Sequence, residues 1–509
     1  MSNFELLLSG FANLAQQPAA LGLAIIGLCI GILLGVLPGL TATMGVAILL
    51  PFTFGMDSVS ALLMISGVFF GGIYGGSITA ILLNIPGTPA AAATALDGFP
   101  LSQKGSAGYA LGYATISSVI GGIISVLVLV FMAPLLAKFA LKFSAPENFA
   151  LAFFGLSIII SISGKSILKG LVAGFLGLLI ATIGLDPMSG YPRFTFGYAE
   201  LMTIPFIPVM IGLFAGSEAY KSISEPNQTK PSKFSITKVV PSFSDLKQRF
   251  FLMVRSGFLG SCIGSVPGAG ADIAAFVSYN EAKRFSKDKD SFGSGNVNGV
   301  AAAEAGSNGC TGGAMLPMLS LGIPGDAVTA VMLGALTLQG LQPGPLLFSE
   351  HGDMVFTLFA GMLVCYIALL FIGLSSLKYL VKVLSMPKAY LVPIILTLCI
   401  VGTFAINNSV FDIGVMLIAG IIGYIIRLRD FPVSPVVLAM IMGPMAESNF
   451  RRALALHSGN LDFLYTRPIT ATLLSIALLT LLFPALKYVY RIARNKTDDS
   501  RDSIPERIL

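Results

Sequence analysis

The residues best suited to chemistry in this 509-residue chain are four Pro-Gly steps, each set inside an apolar run: GVLPGL at 35–40, NIPGT at 84–88, GSVPGA at 264–269 and GIPGD at 322–326. Proline removes a backbone donor and glycine accepts backbone angles that other residues resist, so each step ends a helix. In lipid the freed N–H and C=O groups need partners, which places such breaks where protein buries them or where they line a cavity. A helix restarting after the break presents unpaired N–H groups and the positive end of its dipole. A carboxylate is a matching ligand.

Pro38, Gly39, Thr41, Thr43, Ser77, Thr79, Pro86, Gly87, Thr88, Pro267, Gly268, Pro324 and Gly325 are therefore the candidate substrate-binding residues. Oxygen-bearing residues around the same motifs, Asn84, Asp272, Asn308, Thr311 and Asp326, are candidates for holding a coupling Na+ together with carbonyls exposed at the breaks. Glu304 and Ser307 add oxygens in the run AEAGSNGCTGG at 303–313. Plainer readings stand beside these. Gly and Ser runs in membrane helices allow close packing, Thr88 and Asp326 are suitable N-caps, and Asp272 and Glu304 at a cytoplasmic edge would simply be solvated. The motif blocks hold no Lys or Arg between Gly35 and Pro100 or between Gly264 and Asn280. Backbone N–H groups and hydroxyls must then supply much of the attraction for an anion.

The elements that position these residues are membrane helices. Of the chain, 55% is hydrophobic and 11% charged, against about 25% charged in a soluble domain. Apolar runs long enough for a ~20-residue span recur, as at 21–37, 116–132 and 470–486. The formal charge of +6 lies mostly in short polar connections and the C-terminal tail, a distribution that reports membrane orientation and not nucleic-acid binding. Five scattered cysteines form neither a disulfide framework nor a zinc site. No HExxH, GxSxG or Walker A motif is present, so neither an intramembrane enzyme nor an ATP-driven pump is expected. A channel would need a continuous polar path, whereas buried breaks suit alternating access. No Lys or Arg precedes Lys104, so the first apolar segment lacks a signal peptide's basic flank and is expected to be retained.

The punctuation occurs twice. GVLPGL recurs as GSVPGA after 229 residues, NIPGT as GIPGD after 238, and SAPE at 144–147 as SMPK at 385–388 after 241. This is an internal repeat of membrane-domain size. With the N-terminus outside and each VLPG-type segment a re-entrant hairpin, first-half spans fall near 58–83, 109–135, 147–163, 166–184 and 200–216. Second-half spans fall near 304–323, 354–374, 389–406, 411–426 and 433–446, with a last helix near 469–487. This places 24 of the 31 Lys and Arg on the cytoplasmic side. The expected fold is an all-α polytopic membrane protein of two inverted structural repeats, with re-entrant hairpins and helices broken at Pro-Gly. The first repeat is 1–220, a cytoplasmic linker 221–249, the second repeat 250–468, and an extra C-terminal helix with a cytoplasmic tail 469–509.

At four blocks in this order the chain resembles the large membrane subunit of the tripartite tricarboxylate transporter family: GVLPGLTATMGVAILLP at 35–51, GGIYGGSITAILLNIPGTPAAAATALDGFP at 71–100, GSVPGAGADIAAFVSY at 264–279 and NGCTGGAMLPMLSLGIPGD at 308–326. The resemblance implies a multi-pass protein of a bacterial inner membrane, partnered by a small four-helix membrane subunit and a periplasmic substrate-binding protein. It implies uptake of a di- or tricarboxylate such as citrate, driven by an ion gradient, with sodium placed ahead of protons as coupling ion and no other cofactor.

Overall fold

The computed structural model describes residues 2–37, 40–157, 166–186, 188–224, 239–383 and 388–481. Pro38, Gly39, most of the expected linker (225–238) and the tail from 482 lie outside the described residues. In chain order the first helices are α1 (Asn3–Ala15), α2 (Pro18–Val36), α3 (Ala42–Leu49), α4 (Ser58–Leu83), α5 (Ala91–Leu101), α6 (Ala107–Ala140), α7 (Ala145–Ser157) and α8 (Ile167–Ala181). A two-residue β-hairpin, Gly184–Leu185 with Pro192–Arg193, precedes α9 (Phe206–Ile211) and α10 (Ser217–Ser224). Then come α11 (Phe243–Gly264), α12 (Ala271–Phe285), α13 (Val297–Leu321), α14 (Ala327–Leu338), α15 (Pro345–Glu350), α16 (Gly352–Val383), α17 (Lys388–Asn407), α18 (Val410–Leu428), α19 (Ser434–Leu456), α20 (Phe463–Thr466) and α21 (Pro468–Leu481).

Among the described residues, five helices are long and apolar enough to cross a membrane: Pro18–Val36, Ser58–Leu83, Ala91–Ala140, Gly352–Leu380 and Val410–Leu428. The first predicted span, 58–83, coincides with α4. The predicted span 200–216 instead becomes two short helices around a π-turn at Gly212–Gly216. A side chain on Gly212 would lie 2.2 Å from the Met416 carbonyl oxygen, so close contact with α18 accompanies the departure from regular helix. Helix also enters both ends of the expected linker, with Ser242 capping α11 through the Asp245 N–H.

A long helix precedes each VLPG-type step and a shorter one follows it. The α2 arm has 19 residues and the α3 arm 8. The long arm packs through glycine onto the next long helix. A Cβ on Gly31 would fall 2.4 Å from Val68 O, and one on Gly71 2.4 Å from Leu28 O. In the second half, a Cβ on Gly260 would fall 2.1 Å from Gly306 O, and one on Gly309 2.4 Å from Gly257 O. Every α2 position here maps to α11 by adding 229, and every α4 position to α13 by adding 238. The same helix pair is built twice, in the same register. Because α4 and α13 are buried nearly throughout, neither carries an apolar stripe.

The described chain divides into two compact units. Among the described residues, one comprises those of 2–142 and 197–433, the sequence range of all four breaks; the other comprises those of 143–196 and 434–481. Each unit draws on both sequence halves. The second unit contains α7, α8, α19, α20 and α21, with an ion cluster of Asp186, Arg193, Glu447 and Arg451.

Candidate functional site

The breaks satisfy their own backbone locally. Helix α4 ends at Asn84 in the left-handed region (φ 58°), and α13 ends at Gly322 (φ 73°), its counterpart 238 residues on. Asparagine tolerates that conformation better than most residues with a side chain. Beyond these caps, Ile85 N–H donates to Thr79 O at 3.4 Å and Ile323 N–H to Pro317 O at 3.3 Å. The chain then folds back. Gly87 donates to Gly76 O at 3.3 Å, and a Cβ on Gly87 would lie 2.3 Å from Gly35 O, so the second break of the first half meets the end of α2. A Cβ on Gly325 would lie 2.5 Å from Ala314 Cα. In the second half Gly268 N–H donates to Gly325 O at 2.7 Å. The two breaks of each half are thereby brought together.

After the breaks, Thr41 caps α3 by accepting the Met44 N–H at 3.3 Å, and Thr43 lies half-buried in the first turn. Thr88 is buried against Gly76, and its hydroxyl has no hydrogen-bond partner. Asp326 caps α14 by accepting Thr329 N–H at 2.8 Å. Asp272 is in the first turn of α12. A Cβ on Gly270 would lie 2.9 Å from Asp272 Oδ1 and 3.7 Å from Asp326 Cβ, so both acids flank one small residue. The repeat offsets carry Thr43 onto Asp272 and Thr88 onto Asp326. The same two stations hold hydroxyls in one half and carboxylates in the other.

The other candidates divide between site and scaffold. Ser77 and Thr79 donate to Tyr74 O (2.7 Å) and Gly76 O (3.1 Å) of their own helix. Asn84 and Pro86 are exposed, Pro267 is half-buried, and Pro324 is buried. Thr311 hydrogen-bonds Tyr366 at 2.6 Å and donates to Asn308 O at 2.7 Å, tying α13 to α16. Asn308 is fully buried, and its Oδ1 has no partner among the described residues.

Two acidic residues, Glu304 and the previously unremarked Asp97, are at the centre of buried networks. Glu304 is 1% exposed, so it is not at a solvated edge, whereas Asp272 is exposed. Glu304 accepts hydroxyls from Thr94 at 2.5 Å and Ser118 at 2.9 Å, and the Ser77 hydroxyl is a third oxygen near its carboxylate. Asp97 Oδ1 accepts the N–H groups of Gly293, Gly295 and Asn296, each at 2.8 Å, and Oδ2 accepts Tyr279 OH at 2.9 Å. Lys104 donates to Ser294 O in the same loop. A signal for Asp97 existed: it is the one acid in 71–100.

The model of the family described as "Tripartite tricarboxylate transporter TctA family" matches residues 21–438. A relative from Agrobacterium vitis, "Uncharacterized 52.8 kDa protein in TAR-I ttuC' 3'region", is 36% identical over 479 residues, covering 94% of this chain and 95% of its own. A second from that organism, "Uncharacterized protein in TAR-II ttuC' 3'region", is 33% identical over 239 residues, 47% of this chain and 97% of its own. No solved structure matches. With the family match spanning most of its length and all four breaks, the chain belongs to the tripartite tricarboxylate transporter TctA family.

Proposed function

We propose that this chain is the large membrane subunit of a binding-protein-dependent secondary transporter. It takes up a di- or tricarboxylate such as citrate by alternating access, driven by a sodium gradient ahead of a proton gradient. It does so in a bacterial inner membrane, with a small four-helix subunit and a periplasmic binding protein as partners. The two halves are inverted repeats with re-entrant Pro-Gly hairpins.

The observation that carries this reading is the exchange of Thr43 and Thr88 for Asp272 and Asp326 at equivalent stations. Hydroxyls beside helix N-termini suit a carboxylate without adding charge. Paired carboxylates repel an anion and attract a cation. Thr43 and Thr88 therefore serve the substrate, which sits between the paired breaks, and Asp272 and Asp326 serve the coupling ion. Thr88, buried with an unpartnered hydroxyl, has hydrogen-bonding capacity to spare. A site without fixed lysine or arginine also releases its anion readily.

Radiolabelled citrate counterflow in proteoliposomes, with the binding protein present, tests the reading. Exchange that requires the binding protein and Na+ is expected. Asp326→Asn and Asn308→Ala should raise the Na+ concentration needed. Downhill flux without counterflow would mark a channel and overturn the assignment, as would carboxylates bound by Lys or Arg far from the breaks.

A further inference from the structure

We propose that Glu304, with the hydroxyls of Ser77, Thr94 and Ser118, forms a separate Na+ site that links the two halves of the chain. This rests on the reading of the chain as a coupled carboxylate carrier and adds a site to it. Glu304 belongs to α13, and its partners come from α4, α5 and α6. All are at most 1% exposed. Among the described residues, Glu304 has no Lys, Arg or His at ion-pair distance. An ionised carboxylate buried without a countercharge is costly, and hydroxyl donors offset only part of that cost.

The donor set is uniformly hard. Two carboxylate and three hydroxyl oxygens converge, the kind of ligand an alkali or alkaline-earth cation takes. Ser77 already turns its proton to the Tyr74 carbonyl at 2.7 Å, leaving its lone pairs for the site. Thr94 and Ser118 now donate to Glu304, and they need only rotate their hydroxyl protons to present oxygen instead. A second observation points the same way. One helical turn along α13, Asn308 spends its Nδ2 on the Glu304 carbonyl at 3.2 Å, while its Oδ1 is buried with no donor. A buried acceptor without a donor calls for an explanation, and this one belongs to the residue that donates to the Glu304 carbonyl.

The position gives the ion a role in coupling. Thr94 stands on the helix that restarts after the first-half break, and Ser77 follows Gly76, against which Thr88 packs. A cation held by Thr94 and Ser77 fixes the elements that carry the substrate station and so aids substrate binding. The substrate must then strengthen ion binding by the same factor, because the linkage is reciprocal. With a second cation at Asp272 and Asp326, a dicarboxylate crosses with its charge balanced.

The test is equilibrium 22Na+ binding to the purified full-length chain in detergent, with thermal melts in the presence and absence of Na+. Saturable binding and Na+-induced stabilisation are expected. Glu304→Gln should weaken binding at least about tenfold, and Ser118→Ala and Thr94→Val by roughly fivefold each, as for one lost ligand interaction. Gel filtration and the melt in Na+-free buffer establish that each variant is folded. Ser118→Ala and Thr94→Val isotherms that overlay the native one would overturn the site, as would a native chain that binds no 22Na+. If Glu304-dependent binding holds while proteoliposomes exchange no carboxylate, the site stands and the transport reading falls. If exchange is Na+-driven and indifferent to Glu304→Gln, the site falls and the transport reading stands.

Discussion

Gly268 donates its backbone N–H to the carbonyl oxygen of Gly325 at 2.7 Å, so one Pro-Gly break supplies the partner that another needs. Gly268 holds φ at 83°, where a side chain costs about 1–2 kcal/mol. Gly268→Ala should lower the melting temperature and, by loosening both breaks, slow carboxylate exchange. An unchanged melt and exchange rate would show that this turn is not populated in the membrane.

Thr88→Val keeps the shape of the side chain and removes its hydroxyl. Substrate affinity should fall by roughly fivefold, about 1 kcal/mol for one hydrogen bond, and Thr43→Val should behave similarly. Thr88→Asp imports the second-half residue into the first-half station and should all but abolish exchange. Equal exchange rates for Thr88→Asp and the native chain would remove Thr88 from the substrate site.

Asp97 anchors the loop before α13 through three amide N–H groups and a tyrosine hydroxyl. Asp97→Ala strands these donors, and about 1–3 kcal/mol of stability should be lost. Hydrogen exchange should accelerate at 293–296 before it does elsewhere. A variant with native exchange in that loop would count against the anchor.

Asp186 in the β-hairpin has its carboxyl held well below the usual carboxylate range, first by the N–H groups of Ser189 and Met188 and then by Arg451. A folded-state pKa below the unfolded value of about 3.9 contributes stability that is present above that value and lost as pH falls through the acid range. Native melts should therefore drop on acidification more steeply than those of Asp186→Asn. Parallel curves for the two would refute the assignment.

The positive charges predict the topology. Cysteines placed at Ser232 and near the C-terminus, in a background lacking the native five, should react with an impermeant maleimide only after the inner membrane is opened. A cysteine at Ser2 should react from the periplasm. Labelling of Ser232→Cys in intact spheroplasts would reverse the orientation.

Much of this was legible before folding. The Pro-Gly steps marked where helices end because two residue types enforce that locally, and α4 was bounded correctly by its apolar run. Thr43, Thr88, Asp272 and Asp326 were recognisable as oxygen donors beside breaks. Their pairing across the halves follows from the motif offsets of 229 and 238, but that Asp272 and Asp326 flank one small residue required the fold. Glu304 was visible as a buried-acid candidate, yet Thr94 and Ser118 lie 210 and 186 residues away, and no local pattern joins them. The start of α13 was harder to place because its first turns, VNGVAAAEAGSNG, are small and polar and form no apolar run.

The duplicated glycine seam between α2 and α4, and between α11 and α13, also bears on how such a gene can age. At Gly31, Gly71, Gly260 and Gly309 the facing atom is backbone, which cannot rotate aside as a side chain can. The smallest change a glycine codon permits therefore presses a methyl group into a carbonyl. Neighbouring positions that face lipid tolerate many apolar residues and are free to drift. Across long divergence this seam and the breaks should change least, because the helices leave no room there for revision.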